Sequence, residues 1–329
     1  MADATITGLM QIGTSNTSTT ASSVTTSTSV LNDANGNSVV NFRDVEDLDG
    51  ITATMQLSIA PNLNGSTSTG QETYFALSGG FGELKAGKFG NDQFWTVVAG
   101  DATGFMGSNA AVVNLGFGST AAATTVYSAS TLTTSAVVGS MEVWTANQVR
   151  YQLPTFVPGL TLAYTTKLGS QTTNIYGAET VTAGYTTGGL NFKAASTQYK
   201  ASASLTDTLN SYAVSYDFGP AKLYALSTSD KISGASTVTG KNIGVSVPMG
   251  AFTLMYNNST ATAYVSNRAV TAVSQTNSEA AVTYAFSKRT TGWIYYTKYD
   301  GATAFQNTGG TALAGNGFTS TRFMILHAF

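Results

Sequence analysis

The chain has 329 residues, of which 42% are hydrophobic and only 10% charged, with 34 Gly, 5 Pro and no Cys. That charged fraction is far below the roughly 25% of ordinary soluble domains, a composition that a membrane β-barrel or a large extracellular β-sandwich or β-solenoid would share, and no stretch approaches the ~20 consecutive apolar residues of a membrane helix. A net charge of −2 argues against nucleic acid as a partner, and the lack of Cys excludes disulfides, thiol catalysis and thiolate metal sites.

Met1 followed by Ala2-Asp3-Ala4 reads as the mature start of an exported chain. Thr5 to Ile12 then opens a series of alternating segments of about ten residues. Thr14 to Ser29 is almost all Ser and Thr, which predicts a solvated surface loop within a connection reaching Asn37. Ile51 to Ile59 alternates without a break, apolar at odd positions and polar at even ones, as a wall between lipid and water requires. Gly79-Gly80-Phe81-Gly82 predicts a tight turn; no helix follows to make it a phosphate cradle.

The longest interruption runs from Phe89 to about Glu142. Unlike the other connections it is rich in apolar residues, among them Phe94, Trp95, Val97, Phe105, Val112 and Phe117. A segment that apolar must bury something, which predicts that it folds inside a barrel. Alternation resumes at Leu160, Leu162 and Tyr164, returns at Tyr212, Val214, Tyr216 and Phe218, and continues through Ile243, Phe252 and Val282. In the last segment Phe323, Ile325, His327 and Phe329 share one face, and Arg322, Met324, Leu326 and Ala328 the other. A final strand closing on Phe places an aromatic ring at a bilayer edge.

Tight turns, such as Asp49-Gly50 and Gly219-Pro220, alternate with long polar connections, such as Thr228 to Gly240 and Gly301 to Thr319. Short turns on one rim and long loops on the other are the asymmetry of an outer-membrane barrel. The predicted fold class is therefore all-β: one transmembrane antiparallel β-barrel over residues 1–329, of about sixteen strands, with both termini on the short-turn rim.

Several stretches then carry a resemblance. Phe42-Arg43-Asp44-Val45-Glu46-Asp47-Leu48-Asp49-Gly50 resembles the second strand and following turn of the Gram-negative general porins of the β-proteobacterial and neisserial type. Tyr74 to Lys88 is similar to that family's hairpin leading into its third loop, and Asn147-Gln148-Val149-Arg150-Tyr151 to the strand after that loop. Phe218 to Tyr224, Ala285 to Thr290 and the His327-Ala328-Phe329 ending match in the same order. The resemblance implies a sixteen-stranded homotrimeric channel in the outer membrane of a Gram-negative bacterium, narrowed by an inward third loop at about 89–142. Its surroundings would be membrane lipid and lipopolysaccharide, and its traffic ions and small hydrophilic solutes. The chain departs from the family at Val39, at Gln71-Glu72 and around Trp144-Thr145, where arginines are usual, which predicts a pore partly stripped of constriction charge.

Strand parity places Arg43, Lys85 and Arg150 inward, with Glu72 and Tyr74 in the same phase. Together with Lys88 and Asp101 they are the candidate pore-lining residues. Opposed charges there would set a transverse field that filters ions. No catalytic or metal-binding constellation and no cofactor motif emerges. The single histidine, His327, has no carboxylate nearby in sequence and reads as an interfacial ring. The expected function is passive diffusion, not enzymatic; a barrel lipase or protease and an extracellular β-rich adhesin are the competing readings.

Overall fold

The computed structural model describes residues 4–21, 24–32, 38–61, 71–104, 144–168, 177–200, 206–231, 237–263, 273–301, 305–306, 312–313 and 317–329. The first strands are β1 (Thr5–Ala21), β2 (Val24–Asn32), β3 (Val39–Asp47), β4 (Thr52–Ile59), β5 (Thr73–Gly79) and β6 (Gly82–Gly90). A helix, α1 (Asp92–Val98), precedes β7 (Trp144–Gln152) and β8 (Leu160–Lys167). Then come β9 (Ala178–Thr187), β10 (Leu190–Lys200), β11 (Thr206–Asp217), β12 (Lys222–Lys231) and β13 (Thr237–Met249). The last are β14 (Phe252–Ala263), β15 (Val273–Ala285), β16 (Thr290–Gly301), β17 (Phe305–Gln306), β18 (Ala312–Leu313) and β19 (Gly317–Ala328).

Every neighbouring pair is antiparallel, and β1 pairs back onto β19, so the sheet closes on itself. β2 and β3 share one place in the wall: β2 pairs with the upper part of β1, from Gly13 to Ala21, and β3 with Thr5 to Leu9. The 17 strands of the sheet thus form a closed sixteen-stranded barrel. Closure pairs each wall strand on both sides and leaves no edge, the condition for crossing a bilayer with strands.

The side chains are sorted the opposite way from a soluble protein. Met55, Ile243 and Phe323 are 55%, 70% and 52% exposed on the outside, whereas Gln11, Ser58, Asn257 and Ser259 are buried facing in. At the short-turn rim Phe81, Phe156, Phe218, Phe286 and Phe329 are exposed. Tyr216 and Phe218 touch at 4.6 Å, and Tyr284 bridges Phe252 and Phe286 at 4.7 and 4.9 Å. This is the aromatic girdle of a membrane barrel.

The Ser/Thr-rich segment corrects the sequence reading. It is not an irregular loop; β1 runs on to Ala21 and turns back as β2, with Ala21 opposite Val24. Threonine is β-branched and favours extended backbone. Once the strand leaves the membrane, polar residues can keep pairing without an apolar face. Strands β12 to β16 also extend into connections that composition alone marks as loops.

Candidate functional site

The lumen is shaped where the chain leaves β6. Between Gly87 and Phe89 the register to β7 shifts, and opposite this point Asn147 has φ 58°. The resulting bulge gives β7 an extra residue and bends the wall, freeing the chain to turn inward. Asn91 then caps α1: its side chain accepts from the amides of Gln93 at 2.8 Å and Phe94 at 3.4 Å. Phe94 and Val97 are fully buried and Trp95 leans over Gly90, so this short helix holds by packing.

From there the segment follows the inner wall. Asp92 accepts from Arg150 Nε of β7 at 3.2 Å and Thr165 Oγ1 of β8 at 2.5 Å. Thr197 of β10 donates to Gln93 Oε1 at 3.0 Å, and Gln93 Nε2 donates to Ser211 of β11 at 2.5 Å. Asn242 of β13 donates to the Gly100 carbonyl at 2.8 Å. Asn257 of β14 closes the series: its Nδ2 donates to Asp101 Oδ1 at 2.5 Å, and its Oδ1 accepts from Ala102 N at 3.1 Å. The described start of the third loop therefore crosses the interior from β7 to β14.

Two glycines permit that approach. A Cβ at Gly100 would press on Leu226 and Ala213, and one at Gly244 would collide with Asn257 and Ala102. Ala102 lands on an inward apolar cluster of Met255, Ala281, Tyr295, Met324 and Leu326. This is a small core inside the lumen, and it accounts for the apolar inner face of the last strand. Beside it Glu279 and Arg322 are both buried and within electrostatic reach of one another.

The sequence-derived candidates divide accordingly. Arg43 faces in, paired across the wall with Gln56, and has no ion-pair partner among the described residues. Tyr74 donates to Gln56 Oε1 at 3.2 Å, and Glu72 accepts from Gln56 Nε2 at 2.8 Å and from Gly90 N at 3.4 Å. Lys85 lies over the rings of Tyr74 and Phe89, 3.7 and 4.6 Å from their centroids. Arg150 is held by Glu83 and Asp92, each at 3.2 Å.

Two residues differ from expectation. Lys88 pairs with Thr73 on the outward side of the wall, because parity puts Lys85 and Gly87 inward and the bulge begins only after Gly87. Asp101 is buried and clamped to Asn257 and Thr103, so it anchors the loop to the wall. Sequence reasoning missed Glu83, Asp92 and Lys193. Lys193 faces in opposite Ala213, and its stem passes over Gly184. Its signal was the inward phase shared with Ala195 and Thr197. The remainder of the 89–142 interruption, with Phe105, Val112 and Phe117, lies outside the described residues.

A family model for Gram-negative porins matches residues 1–304. The chain belongs to the Gram-negative porin family. Among solved structures it is similar to an anion-selective porin from Comamonas acidovorans, with a TM-score of 0.79 at 18% identity over 100% of both chains. It is also similar to OmpF of Salmonella typhi in complex with daunomycin, with a TM-score of 0.70 at 12% identity over 99% of this chain and 97% of that one. The trimer form of OmpT, an outer membrane protein of Vibrio cholerae, has a TM-score of 0.67 at 11% identity, with 100% and 99% covered. At these identities the likeness is one of fold. No curated protein sequence matches the chain. As a porin with a closed polar-lined barrel, it is an outer-membrane channel for passive diffusion of ions and small hydrophilic solutes.

Proposed function

We propose that this porin is a homotrimer of separately conducting barrels, each narrowed by the wall-clamped third loop and weakly selective for anions. The observation that carries the selectivity is the charge inventory around α1. Arg43, Lys85, Arg150 and Lys193 face Glu72, Glu83 and Asp92, four cations against three carboxylates. Arg150 is compensated by two of those carboxylates, whereas Arg43 is uncompensated. A near-balanced field discriminates weakly, and its sign follows the uncompensated charge. In a salt gradient the reversal potential should favour chloride slightly and approach neutrality at high salt. A cation preference at low salt would overturn the sign.

The proposed trimer contact is the outward sector of β1 and β3 to β5, with Ile6, Phe42, Met55 and Phe75 exposed, extended by Phe323 and Ile325 of β19. Asp44 lies on that same outward face, half-buried and paired with Met55. Charge on a lipid-facing surface is unfavourable, so a neighbouring copy suits this sector better than acyl chains. The trimer form of OmpT, an outer membrane protein of similar fold, supports the reading. Native mass in detergent should equal three chains; a monomer that conducts fully would contradict it.

Orientation gives a separate prediction. An epitope at Ser22, between β1 and β2 in sequence, should be accessible on intact cells. One at Asp49-Gly50 should be reached only after the outer membrane is breached. The opposite labelling pattern would invert the topology.

A further inference from the structure

We propose that the rings of Tyr74 and Phe89 act as a clamp that holds the Lys85 ammonium against the inner wall, out of the ion path, and so limit how strongly the channel prefers anions. The inference rests on the reading above, that these wall charges set the selectivity, and it names two uncharged residues that tune it. Lys85 Nζ lies 3.7 Å from the Tyr74 ring centroid and 4.6 Å from that of Phe89. The two rings meet edge to face, with centroids 6.4 Å apart at an angle of 85°, and so form the two sides of a corner. A ring face attracts a cation through its quadrupole, and a corner of two rings is a seat for one.

The surroundings steer Lys85 into that seat. Arg150 stands directly opposite it in the β6–β7 ladder, and like charges repel. Glu83 and Asp92 are both engaged by Arg150. Glu72 accepts from Gln56 and from the Gly90 amide. With those carboxylates engaged, Lys85 makes no ion pair among the described residues, and its ammonium rests on the rings. The seat itself is fixed. Tyr74 Oη donates to Gln56 Oε1 at 3.2 Å, and Gln56 Nε2 is tied to Glu72 at 2.8 Å. Phe89 is 1% exposed, where the register to β7 shifts. Gly87 stands opposite Tyr74, and a side chain there would crowd it. A lysine stem is long and flexible, so an unheld ammonium would sweep the lumen. Held in the corner, its charge acts on passing ions only from the wall.

The test is the reversal potential of the full chain in planar bilayers under a potassium chloride gradient. Tyr74→Leu and Phe89→Leu should each free Lys85. Bringing its charge from about 8 Å to about 5 Å from the ion path should raise the chloride-to-potassium permeability ratio about twofold at 0.1 M salt. Tyr74→Phe keeps the ring and should restore the wild-type ratio. Combined with Lys85→Met, neither leucine variant should move the ratio, which general loosening of the wall would not explain. Lys85→Met alone should lower the ratio; no change there would sink the reading that wall charges set selectivity. A fall in Lys85→Met with no rise in either leucine variant would overturn the clamp alone. So would an equal rise in the Lys85→Met background, or a shift in Tyr74→Phe as large as that in Tyr74→Leu.

Discussion

Asn257→Ala is expected to release the third loop from the wall while leaving the barrel intact. The side chain makes two of the loop's bonds, one to the Asp101 carboxylate and one from the Ala102 amide. Together these contribute about 2–4 kcal/mol, a charged bond counting for more than a neutral one. At tenfold per 1.4 kcal/mol, the undocked population should rise roughly 30- to 1000-fold. The β14 ladder uses backbone groups and is untouched, so resistance to unfolding in detergent should persist. Open-channel noise should rise, and larger sugars should enter in liposome swelling. Gly244→Val reaches the same result by crowding, because its side chain would push on Asn257 and Ala102. Unchanged noise and size cutoff in both variants would mean that the clamp does not set the aperture.

Replacing Arg43 and Arg150 with Gln should turn a weak anion preference into a cation preference. The inventory near α1 falls from four cations against three carboxylates to two against three. The loss at Arg150 also leaves Glu83 and Asp92 without their shared cation. A unit charge about 8 Å from the ion path contributes about 0.5 kcal/mol in water, roughly halved by screening at 0.1 M salt. Two such losses should shift the chloride-to-potassium permeability ratio about two- to fivefold. The shift should collapse at 1 M salt, where the screening length is about 3 Å. Identical reversal potentials in wild type and double variant would move the field to other residues.

The wall was legible in the sequence because its physics is local. Ile51 to Ile59 announces its two faces through alternation alone, and so does the segment from Arg322 to Phe329. Arg43, Tyr74, Lys85 and Arg150 face inward, on the side that parity gives them, since each lies in an unbroken run. The loop's destination could be anticipated from its apolar content, but its fastenings could not. Asp101 and Asn257 are 156 residues apart, and Gln93 and Ser211 are 118 apart. Gly100 and Gly244 carry no side-chain signal; they matter because two backbones meet. Asp101 reads as a lumen charge until its partner is known. Lys88 falls outward by the same two-residue count that puts Lys85 and Gly87 inward, because the register to β7 shifts only after Gly87. The Ser/Thr hairpin was hidden for another reason: strands beyond the membrane have no apolar face to display.

The most direct test of a water-filled channel narrowed by an inward loop is single-channel recording of the purified protein in planar bilayers, with graded polyethylene glycols added to one side. Discrete ohmic steps are predicted, in groups of three. Small polymers should lower the conductance and larger ones should leave it unchanged, and Asn257→Ala should raise the excluded size. A bilayer that stays at baseline with correctly folded protein inserted, or an excluded size that is the same in wild type and Asn257→Ala, would contradict the account.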